Sequence, residues 1–495
     1  MRFKKNNAIM NCIRKITGIL ILLSSLSAGS ILYGQQEERS FNCFTVIAGK
    51  DASADGSVYL AHNEDDWGDQ IVNMYKVPRM EHAEGETITL KNGGKVEQAP
   101  VTYEYWWIEM VALSFSDTYL NEHGVMIVSD QCTSREENGD LTDGGIGYRL
   151  RRIMAERART AKEAVKIGGG LVERFGYTDP GRTYCIADEN EAWMMAVVMG
   201  KHWVAQRVPD DHVAIIPNYY TISEVDLSDT VNFLGSPDIV EYAVSSEFYH
   251  PETDGAFSFR KAYSNQKTLY HPGNTSRHWS AMNMLSGRKW EMDEKFPFSF
   301  RPREKVEPED LFMVLRDHYE GTDLEVTEGT PHREDSRAIC TFHTQYAAVG
   351  QLRSDLPADI GNVMWIAFHR PCMNPFIPFY YGTDYAPEGF SKLDPSEAVE
   401  MHFDVPENIH MYMPDHAFAL FTEYSTEMDA NYDHVKYKMS DRRDEFESGL
   451  LSDRKSFEDR MLKTYQDNPQ QAVEQITEKV HGWIENWTEI IKDPE

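Results

Sequence analysis

The chain reads as an α+β protein in which antiparallel sheets are layered with helices. Two observations carry that expectation. Short apolar segments separated by turn-forming residues arrive in two groups, and the stretch between the groups has helical spacing. Strands that come in runs, with helices gathered between them, suggest a layered sandwich.

The elements follow in order. Residues 44–48 and 57–62 read as two strands joined through 51–56, a segment rich in turn formers. Residues 124–129 make another apolar strand. Leu150, Ile153, Met154 and Arg157 have helical spacing, and Thr160 followed by Glu163 reads as a capping box. The helix it opens carries Ala164, Ile167 and Leu171 on one face, and Gly168-Gly169-Gly170 should weaken or kink it. Residues 184–188, 192–198, 202–208 and 213–217 then follow as an antiparallel meander with acidic turns between them. Residues 250–345 show no clear pattern, and 371–382 (PCMNPFIPFYYG) read as a tightly packed loop. From about residue 414 the chain turns helical, over 424–465 and 469–491, with charge runs expected to be solvated faces.

Composition narrows the class. With 495 residues, 41% apolar and 12% aromatic, the chain can bury a large core and is globular. A net charge of −31, from 80 acids against 49 bases, argues against nucleic acid or an anionic membrane surface as partner. Arg2, Lys4, Lys5, Arg14 and Lys15 precede an apolar run at 16–26, and small residues at Ala28, Gly29, Ser30 and Gly34 follow it. That is the pattern of a signal peptide, and the run falls short of the roughly 20 residues that span a bilayer. A secreted or periplasmic protein without a stable membrane anchor is therefore expected.

Of the six cysteines, Cys12 leaves with the signal. Cys132, Cys185, Cys340 and Cys372 could form two disulfides or stay as buried thiols. No cysteine pair has CxxC spacing, there is no HExxH, and His332 and His343 lack ligand spacing, so neither a metal site nor a cofactor is expected.

Cys43 carries the chemistry. Once proteolysis makes it the first residue, it holds a thiol and an amine within reach of each other, a nucleophile and a base on one residue. The run Cys43-Phe44-Thr45-Val46-Ile47, with Asp55-Gly56-Ser57 and Asn63-Glu64-Asp65, resembles the opening of the bacterial dipeptidase family that also includes the secernins. Residues 121–125, 156–164, 186–193, 200–210, Pro217-Asn218 and 374–380 agree with that family in order. The resemblance covers most of 43–390.

The resemblance implies a four-layer αββα sandwich of the N-terminal-nucleophile hydrolase type and a self-processed cysteine that hydrolyses amide bonds. The organisation it implies is a signal peptide at 1–34, a propeptide at 35–42, a catalytic domain at 43–413 and a helical segment at 414–495. An α-amine titrating near roughly pH 8 beside a thiol near roughly 8.5 exchanges a proton at little cost.

The same resemblance supplies the other site residues. Asp65 fits the acid that orients the new amine, although an acidic turn would look the same. His62, expected with Asp66 and Gln131 to line the substrate site, stands where the related hydrolases carry a basic residue and, being mostly neutral at pH 7, helps a thiolate less. Asn218, after an apolar strand, fits an oxyanion donor worth on the order of 3 kcal/mol, or else a turn-forming Asn after Pro217. Gln131 is a second oxyanion candidate, and Asp66 a partner for a substrate amine. Arg277 resembles the late arginine that supports the cysteine, with Arg337 its rival; either could be an ordinary ion-pair arginine. Ala196 stands where many relatives carry glutamate.

The expected activity is cleavage of dipeptides or short peptides. The alternatives are an acylase acting on N-acyl amino acids or bile-salt-like conjugates, and a non-catalytic binding protein on the same fold. A homo-oligomer is compatible with the sequence.

Overall fold

Strands β1 (Phe44–Ala48) and β2 (Val58–Asp65) form the hairpin from which the site is built. Gly56 at φ 81° lets the chain turn without a Cβ clash. Asp55 accepts the Ser57 N–H and the Tyr59 hydroxyl, both at 3.1 Å. The structure is a computed structural model that describes residues 43–66, 70–333, 337–404, 413 and 415–492. The expected signal peptide and propeptide lie outside the described residues.

Two antiparallel sheets make the body. The first has seven strands in the order Ser299–Phe300, Val213–Ile216, β1, β2, Thr344–Leu352, Val363–Phe368, Ile377–Tyr380. The second has eight, running Phe233–Gly235, Trp203–Val208, Ala192–Gly200, Tyr177–Ala187, Met126–Gln131, Thr118–Asn121, Tyr105–Met110, Val72–Val77. Side chains alternate across each strand. Met126, Val128, Cys185 and Met194 face the first sheet and share its core with Val46 and Ala348. Ile127, Tyr184, Ile186 and Met195 face the other way, onto helices Leu150–Arg157 and Ala161–Phe175.

The first sheet's outer face is covered by helices Pro272–Leu285 and Pro308–Leu315 and by three tail helices, Ala417–Ala430, Tyr432–Asp467 and Pro469–Lys492. Phe421, Phe457 and Trp483 pack there on Phe368 and Tyr380. Both sheets are thus buried on both faces, and the layers run helix, sheet, sheet, helix, as expected. The described residues, the tail included, belong to one compact unit.

Five local expectations need correction or completion. The meander holds through residue 208, but Val213–Ile216 leaves it and crosses to the first sheet, where Ile216 pairs with Thr45. The triple glycine does not break its helix, which runs unbroken from Ala161 to Phe175. A Cβ on Gly169 would lie 2.1 Å from the Trp203 ring, and one on Gly168 would lie 2.6 Å from the Met154 sulfur. The glycines let the helix sit directly on the sheet. Residues 371–382 are buried throughout, as expected of a tightly packed segment, but include a short edge strand, Ile377–Tyr380; Pro378 is tolerated because no strand pairs beyond it. The tail's charges are not all solvated. Glu447 takes a bidentate bond from Arg316 at 3.0 and 2.6 Å, and Glu458 takes one from Arg353 at 2.7 and 2.8 Å, all largely buried. Finally, the unpatterned 250–345 stretch contains helix Pro272–Leu285, opened by a His271 cap and Pro272.

The glycine packing is testable by chemical denaturation. Gly169→Ala should lower stability by about 1–3 kcal/mol because Trp203 must shift. Gly170→Ala, whose Cβ meets open space, should raise it by about 0.5–1 kcal/mol.

Candidate active site

Register places the site. Cys43 immediately precedes β1, between the end of β2 and the end of strand Val213–Ile216. Phe44 pairs with Asn63, Thr45 with both His62 and Ile216. Alternation then gives β2 two functional faces. His62 and Glu64 point between the sheets, as Thr45 does. Asn63 and Asp65 point to the helical layer, where Asn63 donates to the carbonyls of Leu315 at 2.9 Å and Ile339 at 3.0 Å.

Between the sheets a continuous hydrogen-bond chain begins at the nucleophile. The Cys43 thiol donates to Glu64 Oε1 at 3.2 Å, and Glu64 Oε2 lies 3.1 Å from His62 Nε2. His62 Nδ1 lies 2.8 Å from the Thr45 hydroxyl, which donates to Asp130 Oδ2 at 2.6 Å. The Thr45 proton is therefore committed to Asp130, so His62 Nδ1 must be the donor to Thr45. A neutral His62 then presents a lone pair at Nε2, and Glu64 must carry the proton between them. The electrostatics agree. Burial, reinforced by Arg151 and Arg182, pulls His62 down to about 4. Burial pushes Glu64 up to about 8, with Asp66 adding to the rise and Arg151 opposing it. The His62–Glu64 contact is therefore a neutral hydrogen bond rather than an ion pair. Asp130 is held up at about 6 by burial.

On the helical side, Arg277 from helix Pro272–Leu285 is fully buried and donates to the Cys43 carbonyl at 3.2 Å. It also donates to the Pro217 carbonyl at 3.3 Å, to Asn218 Oδ1 at 2.7 Å and to Asn274 Oδ1 at 3.1 Å. Asn218 sits at φ 67°, a left-handed conformation that Asn adopts more readily than most residues. With its Oδ1 held by Arg277, its Nδ2 points to the Gln131 carbonyl at 3.1 Å.

Asp65 accepts from the Thr341 hydroxyl at 3.5 Å through Oδ2, while its buried Oδ1 has no hydrogen-bond partner among the described residues. Burial pushes Asp65 up to about 7, against the pull of the Thr344 hydroxyl and then of Arg277. Arg337 acts on Asp65 and Cys43 through its charge, and burial beside Arg277 lowers it to about 9. The thiol itself is raised well above its ordinary value, by burial first and then by Glu64, Asp130 and Asp65. In this arrangement Cys43 is a thiol, not a thiolate.

Cys43, Asp65, Asn218 and Arg277 are thus brought together where the sequence expected them. Three other residues sit differently. His62 is completely buried inside the hydrogen-bond chain, so it does not line a substrate surface as expected; its neighbours on both strands and Asp130 enclose it. Asp66 is buried and accepts from the Ser116 hydroxyl at 2.6 Å rather than facing a substrate amine. Gln131 contributes its carbonyl to hold Asn218. Residues 371–382 are core and take no part in this site. All five described cysteines are free thiols, so the disulfide alternative does not hold for them.

Sequence reasoning missed Glu64, Thr45 and Asp130. Glu64 was within reach, because a residue two places from His62 on a strand shares its face. Asp130 comes from the other sheet, and no spacing signals it. Cys43, His62 and Glu64 lie close enough to surround a cation, but the hydrogen-bond chain already uses their ligand atoms.

The chain is similar to several known proteins. A family model described as peptidase family C69 matches residues 42–431. The chain is 27% identical over 387 residues to a probable dipeptidase of Latilactobacillus sakei, a match covering 76% of this chain and 81% of that protein. It is 29% identical over 395 residues to a dipeptidase of Bifidobacterium longum (strain NCC 2705), covering 70% and 72% respectively. Among solved structures it is similar to penicillin V acylase from Agrobacterium tumefaciens, with 13% identity, a TM-score of 0.36, and coverage of 68% of this chain and 86% of that one.

The buried Glu64 has a pH signature. Its folded value, about 8, lies above the ordinary 4.5, so the folded state binds more protons between those limits. Its contribution to stability is full below about pH 4.5 and falls as pH rises toward about 8. Urea denaturation across that window should show a shallower pH slope for Glu64→Gln than for wild type; equal slopes would mean that Glu64 ionises freely in the fold.

Proposed function

The chain belongs to peptidase family C69, and from that premise we propose that it is a cysteine peptidase that cleaves dipeptides or short peptides with Cys43 as nucleophile. The observation that carries this reading is the buried Arg277 guanidinium, which ties the Cys43 backbone to Asn218 and so holds the nucleophile and an amide donor in one rigid frame. The family of the relatives points to peptide substrates, and their names point to dipeptides.

Processing completes the site. A thiol raised by burial and by three nearby carboxyl groups needs a base and a counter-charge, and cleavage of the Asn42–Cys43 bond supplies both as one amine. The orphaned Oδ1 of Asp65 suits the ammonium that this amine becomes. In the reaction the amine takes the thiol proton, and the thiolate attacks the scissile carbonyl carbon. The oxyanion accepts from the Asn218 amide N–H not engaged by Gln131. The ammonium then protonates the leaving amine as the C–N bond breaks, leaving a thioester. Water, deprotonated by the same amine, attacks the thioester and releases the acid and the thiol. A preorganised amide donor of this kind is worth on the order of 3 kcal/mol in the transition state.

The N-terminal segment fits a secreted or periplasmic precursor with a leader at 1–34 and a propeptide at 35–42. The basic, acid-free start and the short apolar run support that reading. Among the described residues no helix is long and apolar enough to cross a membrane.

N-terminal sequencing and intact mass, wild type beside Cys43→Ala, test the mechanism. The wild type should begin at Cys43 and turn over a dipeptide panel faster than N-acyl amino acids. The variant should retain residues upstream of 43 and lose activity by at least about a thousandfold. An unprocessed wild type of equal activity would refute the mechanism; preference for acyl amino acids would keep it and change the substrate class.

Arg277→Lys tests the frame. Lysine cannot make the planar, multi-armed contact, so kcat should fall by roughly a hundredfold while processing persists. An unchanged kcat would mean that Arg277 serves stability alone.

A further inference from the structure

Far from the nucleophile in sequence, four buried side chains converge without any part in the chemistry above. His318 follows helix Pro308–Leu315, His332 lies in the loop beyond it, Cys340 precedes strand Thr344–Leu352, and Cys372 follows strand Val363–Phe368. One ligand-type atom from each lies within 4.8 Å of the others. His332 Nε2 is 3.0 Å from His318 Nε2, 3.5 Å from Cys340 Sγ and 3.3 Å from Cys372 Sγ. We propose that His318, His332, Cys340 and Cys372 form a closed tetrahedral site for a structural zinc ion.

The hydrogen bonds around the cluster set the nitrogens for this. His332 Nδ1 lies 2.7 Å from Asp429 Oδ1, and Arg370 pairs with Asp429 Oδ2 at 2.7 Å. His318 Nδ1 lies 2.9 Å from Glu320 Oε1. A carboxylate only accepts, so each Nδ1 carries a hydrogen and each ring turns its Nε2 inward. Two such nitrogens facing each other at 3.0 Å call for a positive charge, and a metal ion bound by both supplies it in place of a second ring proton. Carboxylates on the far nitrogens are also the usual support for metal-bound histidine. A zinc ion with bonds of about 2.0 Å to nitrogen and about 2.3 Å to sulfur spaces its tetrahedral ligands roughly 3.3–3.7 Å apart, near the distances seen. Two thiolates and two imidazoles select zinc over calcium or magnesium, and four protein ligands leave no open position for catalysis.

The site has an entry path and a structural consequence. His318 and Cys372 line a cavity of about 1120 Å³ that also touches Tyr432 and Arg443 of the tail. Asp429 belongs to helix Ala417–Ala430, so the ion ties that helix to the catalytic body. Cys340 lies between Ile339, whose carbonyl receives Asn63, and Thr341, whose hydroxyl reaches Asp65. The ion therefore pins the loop that braces the end of β2. Spacing gave no hint of it, because the four ligands come from separate connections and no two are close enough in sequence to read as a metal motif.

Metal analysis of the full-length secreted chain, purified from zinc-supplemented medium and gel-filtered into metal-free buffer, decides the matter. About one zinc per chain should remain in wild type and in Cys43→Ala, and none in Cys340→Ser/Cys372→Ser. Cobalt(II) loaded in place of zinc should show the sulfur-to-cobalt charge-transfer band and the intense d–d bands of tetrahedral thiolate ligation. Zinc removal should lower the thermal midpoint, and added zinc should restore it. Should the double variant fail to fold, the zinc content and cobalt spectrum of the wild type stand alone as the test. Wild type without bound zinc, a Cys340–Cys372 disulfide seen in the non-reduced intact mass, or zinc lost in Cys43→Ala but kept in the double variant would each overturn the proposal.

Discussion

One buried guanidinium organises the centre of this protein. Arg277 has no exposure to solvent, and it reaches the carbonyls of Cys43, Pro217 and Gly273 and the side-chain amides of Asn218 and Asn274. Burying a charge is costly unless it is fully engaged. Those partners come from the chain start of β1, the end of strand Val213–Ile216, and the helix itself, so the cost is met only when all three are in place. The arginine thereby fixes Cys43 and Asn218 relative to each other. Asn218 accepts a left-handed backbone at φ 67°, and its amide is aimed by the same contact.

Around that centre, charge is managed by proton placement rather than by ion pairing. The inter-sheet space next to Cys43 holds Glu64, Asp130 and His62, none of them reached by solvent. Burial makes ionisation expensive, so Glu64 is pushed up and His62 down until the two share a proton as neutral groups. The histidine that stands where a base was expected supplies no positive charge. Positive potential comes instead from Arg277, Arg182 and Arg337, whose own values respond to Cys43. The site's electrostatics thus rest on arginines from the helical layer and the second sheet, with β2 providing hydrogen bonds.

The tail is part of the same body. Its apolar residues complete the outer layer over strands Val363–Phe368 and Ile377–Tyr380, and its two buried carboxylates, Glu447 and Glu458, clamp Arg316 and Arg353 of the sheet-bearing region. Removing one partner of such a pair leaves an uncompensated buried charge. The charge runs are consistent with a solvated helix when read alone. Only the arginines facing them, each about a hundred residues away in sequence, turn two of those acids inward.

Much of this was legible in the chain itself. The α+β class, the strands read at 44–48, 192–198 and 202–208, the helix capped by Thr160, and the conjunction of Cys43, Asp65, Asn218 and Arg277 follow from periodicity, turn chemistry and family motifs, all of them local or ordered along the sequence. What tertiary structure alone decided has a common cause. The crossing of Val213–Ile216 into the first sheet, the packing of Trp203 on Gly169, the inward turn of Glu447 and Glu458, the link from Glu64 through His62 to Asp130, and the meeting of His318, His332, Cys340 and Cys372 all join residues far apart in the chain. Local propensity carries no information about such pairs. They are set by which faces must be buried together, and by the rule that every buried polar group must find its partner there.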